Sequence, residues 1–186
     1  MNDQHHAEAP QVAVRQATIL DLDLLVPMFD AYRRFYRKPG DLDLARRFLL
    51  ERFQHNESII FLAVRQDGSA AGFTQLLPSF SSASAARILI LNDLYVRPEA
   101  RRKGVGALLL AAAAGFGRGI GAVRLTLATE VTNEAAQALY EAGGVDAANR
   151  LLRVRSPYRF ADGVAARLNL GKGGNAPLNS QPGYQA

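Results

Sequence analysis

The chain has 186 residues, a net charge of +5, 48% hydrophobic residues and 21% charged residues. These are the proportions of an ordinary soluble globular protein, and the length fits one domain that buries most of its apolar surface. The absence of cysteine excludes disulfides and thiolate metal sites. No apolar run is long enough to span a membrane, and the polar N-terminus is unlike a signal peptide. We therefore expect a cytoplasmic protein with no membrane partner.

Three segments are expected along the chain. Residues 1–10 are polar and predict a flexible tail, whereas residues 11–168 hold the periodic patterns and predict a single domain. Residues 169–186 are rich in Gly, Pro, Asn and Gln and predict a disordered tail. Two adjacent histidines in the first tail, His5 and His6, are weak evidence for metal binding, so no metal site is predicted.

The first half of the domain alternates between strand and helix patterns. Residues 12–17 alternate apolar and polar side chains, which indicates a strand. Apolar residues at helical spacing predict an amphipathic helix over residues 21–36, and Asp41 can cap a second helix. Two β-rich runs flank an Asp-Gly turn and predict a hairpin, over residues 58–64 and 71–77. A serine-rich loop is expected over residues 78–86.

The second half of the domain continues with a strand, a helix, a strand and a helix. These elements are predicted over residues 87–96, 104–117, 123–128 and 133–142. Asn133 is expected to cap the last helix, and Gly143 with Gly144 is expected to end it. Leu151, Leu152 and Val154 predict a weak last strand. This order of elements indicates an α/β domain with a mixed sheet.

A basic turn with two glycines joins the strand at 87–96 to the following helix. Gly104 and Gly106 have no side chains, so a ligand can approach the backbone closely, and the first amide groups of the helix have no intrahelical acceptor. Three cations add positive charge around them: Arg101, Arg102 and Lys103. Such a turn suits a phosphate or pyrophosphate, although a solvated basic turn would have the same pattern. It matches neither the Walker loop nor the dinucleotide-binding fingerprint.

Two segments of the chain resemble the cofactor motifs of one enzyme family. Residues 91–106 resemble the pyrophosphate-binding motif of the GNAT superfamily of acetyl-CoA-dependent N-acetyltransferases. Residues 133–144 resemble its second cofactor motif, N-x-x-A-x-x-L-Y-x-x-x-G, and a helix and a strand separate the two as in that family. The resemblance implies an α/β fold with a central mixed, mostly antiparallel sheet flanked by helices, and acetyl-CoA as the cosubstrate.

The C-terminal part departs from the family pattern. After Gly144 the family has an aromatic residue and an aromatic-rich strand, which residues 144–148 lack, so the C-terminal strand and tail are atypical. If that strand is missing, an exposed sheet edge remains that a partner subunit can cover. We therefore expect a homodimer.

The resemblance also implies roles for individual residues in the two motifs. Backbone groups of Leu94, Tyr95 and Val96 would hold the acetyl carbonyl and the pantetheine arm, where the family's strand separates from its neighbour. The pyrophosphate would be held by the amides of Arg101, Arg102, Lys103, Gly104, Val105, Gly106 and Ala107. Asn133 would contact the pantetheine or assist the leaving sulfur, although it is also a good helix cap. Tyr140 would donate a proton to the departing thiolate, although it could equally be part of the core.

A general base is needed because an amine is protonated at neutral pH and must lose a proton before it attacks. Residues 91–96 resemble the corresponding strand of polyamine-type acetyltransferases, which have a glutamate where this chain has Asn92. Asp93 is the nearest carboxylate, but strand alternation points it to the opposite face of the sheet from Asn92, unless a bulge re-aims it. A water relay or Glu130 are alternatives, as is a purely structural Asp93.

The acceptor pocket of such proteins lies between the first two helices and the loop after the third strand. Here those positions hold Tyr32, Phe35, Tyr36, Arg37 and residues 79–84. Tyr32, Tyr36 and Asn92 are predicted to contact the substrate, since aromatic rings can hold an amine by cation–π contact. Phe35 is expected in the seam between the two helices. Arg33 and Arg37 would instead favour a substrate with a carboxylate.

The sequence therefore predicts an N-acetyltransferase that transfers acetyl from acetyl-CoA to a primary amine of a small molecule or, alternatively, of a peptide. Direct attack is expected, because no cysteine is available to form an acyl-enzyme. An acyl-CoA-binding module without turnover is the alternative, supported by Asn92 and the unusual C-terminus. Nucleic-acid binding is supported by the net charge alone, so no nucleic-acid partner is expected.

Overall fold

A mixed six-stranded sheet runs through the part of the chain that the computed structural model describes, which comprises residues 12–130, 133–143 and 163–169. The strands are β1 (Val12–Gln16), β2 (Ile59–Arg65), β3 (Ala70–Ser81), β4 (Ala86–Val96), β5 (Arg124–Glu130) and β6 (Gly163–Asn169). They lie in chain order across the sheet. β4 and β5 are parallel, and every other neighbouring pair is antiparallel. The expected mixed, mostly antiparallel sheet is confirmed.

Helices cover both faces of this sheet. The helices of the described ranges are α1 (Leu22–Phe35), α2 (Leu42–Gln54), α3 (Val105–Gly119) and α4 (Glu134–Ala142). Short 3-10 turns precede α1 and α3, at Ile19–Asp21 and Pro98–Ala100. Up to Ala142, the predicted ends of helices and strands agree with the structure within two residues, with one exception in the β3–β4 hairpin.

Each face of the sheet has its own hydrophobic core. Leu25 of α1 and Leu49 of α2 pack with Phe73 of β3 on one face, which we call the α1–α2 face. Leu109 of α3 and Tyr140 of α4 pack with strand residues on the other face, which we call the α3–α4 face. Burial of apolar surface on both sides holds the sheet between two helical layers.

The exception is the serine-rich segment 78–86, where the prediction of a loop is wrong. β3 continues to Ser81 and β4 begins at Ala86, so only four residues connect them. Proline disfavours a strand because it cannot donate a ladder hydrogen bond. β2, however, pairs with β3 only as far as Leu76, so Pro78 lies beyond the end of β2 and its missing N–H removes no bond on that side.

The seam between α1 and α2 is formed by other aromatic residues than expected. Phe29 stacks on Phe48 with ring centroids 5.1 Å apart, whereas Phe35 is 56% exposed. Six positions separate Phe35 from Phe29, which places it about 240° around the helix. The expectation that Phe35 packs in the seam is therefore wrong.

The last described strand lies further along the chain than the predicted one. β6 pairs with β5 over its whole length, so the sheet edge at β5 is covered by this chain itself. The argument for a partner subunit at that edge therefore does not apply. The predicted strand at Leu151, Leu152 and Val154 lies outside the described residues, as do both predicted tails except Asn169, which pairs with Arg124.

Candidate active site

A cleft opens where the two parallel strands separate. β4 and β5 pair from Ile88 with Arg124 to Leu91 with Leu127. Beyond that point β4 follows β3 as far as Val96, while β5 follows β6 as far as Glu130. Backbone groups that would otherwise complete the β4–β5 ladder are left for another partner. The separation leads into a cavity of about 650 Å³.

Most of the predicted site residues line this cavity. Those that do are Tyr32, Tyr36, Asn92, Leu94, Tyr95, Val96, Arg101, Arg102, Gly104, Val105, Gly106, Ala107, Asn133 and Tyr140. Lys103 and Asp93 are not part of the lining. Elements distant in sequence, α1, β4, α3 and α4, thus bring the two motifs and the aromatic residues of α1 to one place.

The basic turn ends in a helix N-terminus that faces the cavity. Arg102 and Gly104 both have left-handed backbone conformations, with φ of 58° and 80°. Gly104 is the N-cap of α3 and has no side chain to accept from the first-turn amides, which also lack intrahelical acceptors. A Cβ at Gly104 would meet no atom within 4 Å. Arg101 Nε donates to the Val96 carbonyl at 3.1 Å, which ties the turn to the end of β4.

Gly106 lines the cavity, and the packing of α3 against α4 also requires a residue without a side chain at this position. A Cβ there would lie 3.0 Å from Leu139 Cδ2 of α4, and a Cβ at Gly143 would lie 2.6 Å from Leu110 Cδ2 of α3. Both glycines therefore let α3 and α4 approach closely. Gly143 is the C-cap of α4 with a φ of −79°, so the helix ends where the sequence predicted.

A β-bulge at Asn92 decides where Asp93 points. Asp93 pairs with Gln75 and Leu91 pairs with Leu76, so Asn92 has no partner on β3. The extra residue reverses the alternation, and Asp93 turns to the α1–α2 face beside Tyr32. Asp93 is 4% exposed. The bulge that the sequence left open is present.

Burial and hydrogen bonds act on the Asp93 carboxyl group in opposite directions. Burial raises its pKa, while hydrogen bonds from Tyr32 and from Asn92 lower it; Asn92 Nδ2 donates to Oδ2 at 3.2 Å. The Tyr32 hydroxyl also donates to the Asn92 carbonyl at 3.4 Å. Burial dominates, so the pKa lies above the ordinary value for an aspartate, as is common for a general base.

Aromatic rings from the end of α1 form the wall of the cavity near Asp93. The rings of Tyr32 and Tyr36 meet edge to face at 5.1 Å, and those of Phe35 and Tyr36 at 5.2 Å. Burial raises the pKa of Tyr36, a hydrogen bond with Tyr32 lowers it, and the negative charges of Glu130 and Asp93 raise it. This end of the cavity is therefore aromatic, and Asp93 is buried next to it, hydrogen-bonded to Tyr32 and Asn92.

Two predicted features of the acceptor pocket are not found at the cavity. Residues 79–84 form the far end of the β3–β4 hairpin, because β3 and β4 are longer than expected, so their predicted role in the pocket is wrong. Arg33 and Arg37 are not part of the lining. Arg33 instead lies 3.9 Å from Asp30.

The second motif places Asn133 and Tyr140 on α4. Asn133 Oδ1 accepts from the Ala136 amide at 3.2 Å, so Asn133 caps the helix while it also lines the cavity. Tyr140 is 7% exposed, and burial followed by the nearby Tyr36 raises its pKa to about 12. Its hydroxyl is therefore protonated at neutral pH and available as a hydrogen-bond donor.

Several lining residues were missed by sequence reasoning. They include Leu91, Ala100, Ala128, Thr129, Ala135 and Leu139. Thr129 is 8% exposed, and its Oγ1 has no hydrogen-bond partner in the described ranges. Its position two residues after Leu127 on β5 was the available signal, because alternate residues of a strand share a face.

The described residues contain no helix that is long and apolar enough to cross a membrane. They also contain no group of three or more His, Asp or Glu side chains that could hold a metal ion. Neither finding extends to the remaining residues.

Comparison with known proteins identifies the family. Residues 25–144 match the model of the acetyltransferase (GNAT) family. The uncharacterized N-acetyltransferase YhfO of Bacillus subtilis (strain 168) is 47% identical over 133 residues, which cover 72% of this chain and 89% of that protein. A crystal structure of a probable acetyltransferase superposes with a TM-score of 0.69 at 37% identity, over 91% of this chain and 99% of the other. Aminoglycoside N(6')-acetyltransferase type 1 of Klebsiella aerogenes is 33% identical over 100 residues, or 53% of this chain and 66% of that protein. The chain therefore belongs to the GNAT family of acetyltransferases.

Proposed function

We propose that this acetyltransferase transfers the acetyl group of acetyl-CoA to a primary amine of a small molecule by direct attack. The observation that carries the proposal is the separation of β4 and β5, which opens one cavity between the N-terminus of α3 and the tyrosines at the end of α1. Acetyl-CoA, when bound, supplies the acetyl group as an activated thioester. The amine is the nucleophile, and no residue of this chain is acylated.

The coenzyme end of the cavity fits a pyrophosphate. The open space at Gly104, the unpaired amides at the start of α3 and the helix dipole all favour an anion there. Arg101 and Arg102 line the same place. Lys103 contributes charge from outside the lining, so we expect it to affect affinity less than the two arginines.

The amine end of the cavity fits a cation better than a carboxylate. The faces of aromatic rings attract cations, and Tyr32, Phe35 and Tyr36 supply such rings. Asp93 lies outside the lining, as Arg33 and Arg37 do, but it is buried and hydrogen-bonded to Tyr32. These contacts favour an ammonium group over the carboxylate-bearing substrate that the arginines had suggested.

Two side chains are placed to move protons. Asp93, with its raised pKa, would accept a proton from the ammonium group so that the nitrogen can attack. Tyr140 would hold its Oη proton for the leaving sulfur, since its pKa keeps it neutral. Because the bulge supplies a carboxylate where Asn92 cannot act as a base, the geometry favours an enzyme over a module that only binds acyl-CoA.

Calorimetric titration with acetyl-CoA, followed by a turnover screen, tests this function. The screen compares diamines, aminoglycosides, amino acids and short peptides, and the Klebsiella relative makes aminoglycosides an early choice. Coenzyme binding with acetylation of a small amine would support the proposal. Coenzyme binding without acetylation of any amine would favour the binding module, and no coenzyme binding would exclude both.

Tyr140→Phe tests the proposed proton donor. We expect kcat to fall about 10- to 100-fold, because proton transfer contributes roughly that much or more. The Kd for acetyl-CoA should stay within about twofold, since the ring and its packing are retained. Steady-state kinetics and calorimetry measure the two quantities. An unchanged kcat would show that Tyr140 is only a core residue.

A further inference from the structure

Asp93, the proposed base, does not reach the cavity itself. The residue is 4% exposed and is not part of the cavity lining. A general base must lie within hydrogen-bond reach of the proton that it takes, or be connected to that proton through one relaying group. A residue of the lining must therefore pass the proton of the amine on to Asp93.

Two side chains of the lining are hydrogen-bonded to the Asp93 carboxylate. Asn92 Nδ2 donates to Oδ2 at 3.2 Å, and the Tyr32 hydroxyl group is the second partner; both residues line the cavity. The amide nitrogen of Asn92 has no lone pair with which to take up a proton, so it cannot pass one on. A hydroxyl group has one proton to give and two lone pairs to accept another. Tyr32 is therefore the lining residue that can connect an amine with Asp93.

Several contacts fix the Tyr32 side chain in this position. Its hydroxyl group lies 3.4 Å from the carbonyl oxygen of Asn92, in a hydrogen bond that is exposed to solvent, so the hydroxyl group is accessible from the cavity. Its ring meets the rings of Tyr36 and Phe73 edge to face, at 5.1 and 6.3 Å. Both ring contacts hold the phenol rigidly, which favours transfer of a proton along a fixed path.

We propose that Tyr32 is a catalytic residue that relays a proton from the substrate nitrogen to Asp93. One N–H bond of the substrate breaks, its electron pair stays on the nitrogen, and its proton goes to Tyr32 Oη. The original O–H bond of Tyr32 breaks as well, and that proton goes to the Asp93 carboxylate. Tyr32 is thus neutral before and after the transfer. This inference rests on the proposed function and names the path that its proton takes.

The surroundings of Tyr32 require that the two transfers take place together. Burial raises the pKa of Tyr32, and the negative charge of Asp93 raises it further. A free tyrosinate is therefore unfavourable at this position. Tyr32 avoids that charge when it gives its own proton to Asp93 while it accepts the proton of the amine. After the product leaves, the reverse movement through the same hydroxyl group returns the proton of Asp93 to water.

Tyr32→Phe tests the relay, because it keeps the ring contacts and removes only the hydroxyl group. A Kd for acetyl-CoA within about twofold of the wild-type value would show that the fold and the coenzyme site are retained. With the best amine of the screen, kcat should fall about 100-fold, as expected when proton transfer is lost, and the loss should persist where kcat no longer rises with pH. Recovery at high pH would overturn the proposal, because Tyr32 would then only lower the pKa of Asp93.

A double-mutant cycle with Asp93→Asn shows whether both residues act on one proton. The relay predicts that the double variant is no more than about threefold slower than the slower single variant, because groups that act as a unit are not additive. Losses that multiply in the double variant would overturn the proposal. An unchanged kcat in either single variant would do so as well.

Thr74→Val is the control, because it also removes a hydroxyl group that is hydrogen-bonded to Asp93. The Thr74 hydroxyl group donates to the backbone carbonyl of Asp93 at 2.8 Å, and Thr74 does not line the cavity. This variant should keep kcat within about twofold of the wild-type value. A fall in kcat as large as that of Tyr32→Phe would overturn the proposal, since any lost hydrogen bond at Asp93 would then have the same effect. These outcomes differ from failure of the proposed function, in which no amine is acetylated.

Discussion

The burial of Asp93 lowers the stability of the fold at neutral pH and also suits its carboxylate to act as a base. The carboxylate is buried on the α1–α2 face, where ionisation is unfavourable, and two hydrogen bonds compensate only in part. Because its pKa in the folded state lies above the unfolded value, the folded state binds the proton more tightly. The free energy of unfolding therefore falls as pH rises through the folded pKa.

Asp93→Asn separates these two effects. At pH 8 we expect the variant to be more stable than the wild-type protein, and below about pH 3 the difference should vanish, since aspartate is then protonated in both states. Turnover should fall about 10²- to 10⁴-fold, as expected when a general base is lost. Thermal melts across pH and kinetics with the best amine measure both. Unchanged turnover would exclude Asp93 as the base and favour Glu130 or water.

Two buried threonines differ in whether their hydroxyl groups have a hydrogen-bond partner. The Thr74 hydroxyl donates to the Asp93 carbonyl at 2.8 Å, whereas Thr129 Oγ1 has no partner in the described ranges. Thr74→Val should lower stability by about 1 kcal/mol, while Thr129→Val should leave it unchanged or raise it. For a domain of this size, 1 kcal/mol corresponds to about 2–4 °C in melting temperature. A marked loss of stability in Thr129→Val would show that its hydroxyl has a partner after all.

Among the elements, α3 carries the largest share of the proposed coenzyme site. Its N-terminus needs a residue that tolerates a φ of 80° at Gly104 and leaves the cavity open. Two residues further along, Gly106 has no Cβ, which lets Leu139 of α4 pack closely against α3. The start of one helix thus determines both the anion-binding surface and the position of Tyr140.

Gly104→Ala and Gly68→Ala separate backbone strain from ligand contact. Both glycines have a φ near 80°, and a Cβ at either would meet no atom within 4 Å. Both substitutions should therefore cost a similar free energy of unfolding, on the order of 1 kcal/mol. Only Gly104→Ala should weaken acetyl-CoA binding, by about tenfold, because its methyl group occupies the proposed pyrophosphate surface. Equal affinities of the two variants would argue against that surface.

At the scale of the whole molecule, the charged side chains near the two ends of the cavity have opposite signs. The net charge is +5, and Arg101 and Arg102 stand at the end proposed for the anionic coenzyme. Asp93 is buried next to the end proposed for the amine. A homodimer stays a prediction, and its original support is weaker because β6 covers the edge of β5.

The two arginines predict that salt weakens coenzyme binding. Raising the ionic strength from about 0.01 M to 0.15 M shortens the screening length from about 30 Å to 8 Å, so the Kd for acetyl-CoA should rise. Titrations at two salt concentrations test this. A Kd that does not respond to salt would argue against the cationic turn as the coenzyme site.

Local features of the sequence predicted the two motifs well, because each is a helix start with its own cap and turn residues. Features that depend on pairing with a neighbouring strand were harder to predict from the sequence. Strand propensity argued against Pro78 in β3, and only the shorter β2 makes it acceptable. Likewise, the bulge at Asn92 depends on the register of β4 against β3. The direction of Asp93 could therefore be posed as a question from sequence but not answered.

The bulge at Asn92 changes the face of the sheet on which each later side chain of β4 lies. Every residue of β4 after it faces the side opposite to the one that simple counting gives, so an insertion or deletion in this stretch would exchange Asp93 for a neighbouring leucine. Asn92 itself has no partner on β3 and lies outside the pattern. Its side chain lines the cavity and donates to Asp93, so a substitution there changes the cavity wall and the surroundings of Asp93 together. An engineer seeking new acceptor preferences would begin with this unpaired residue.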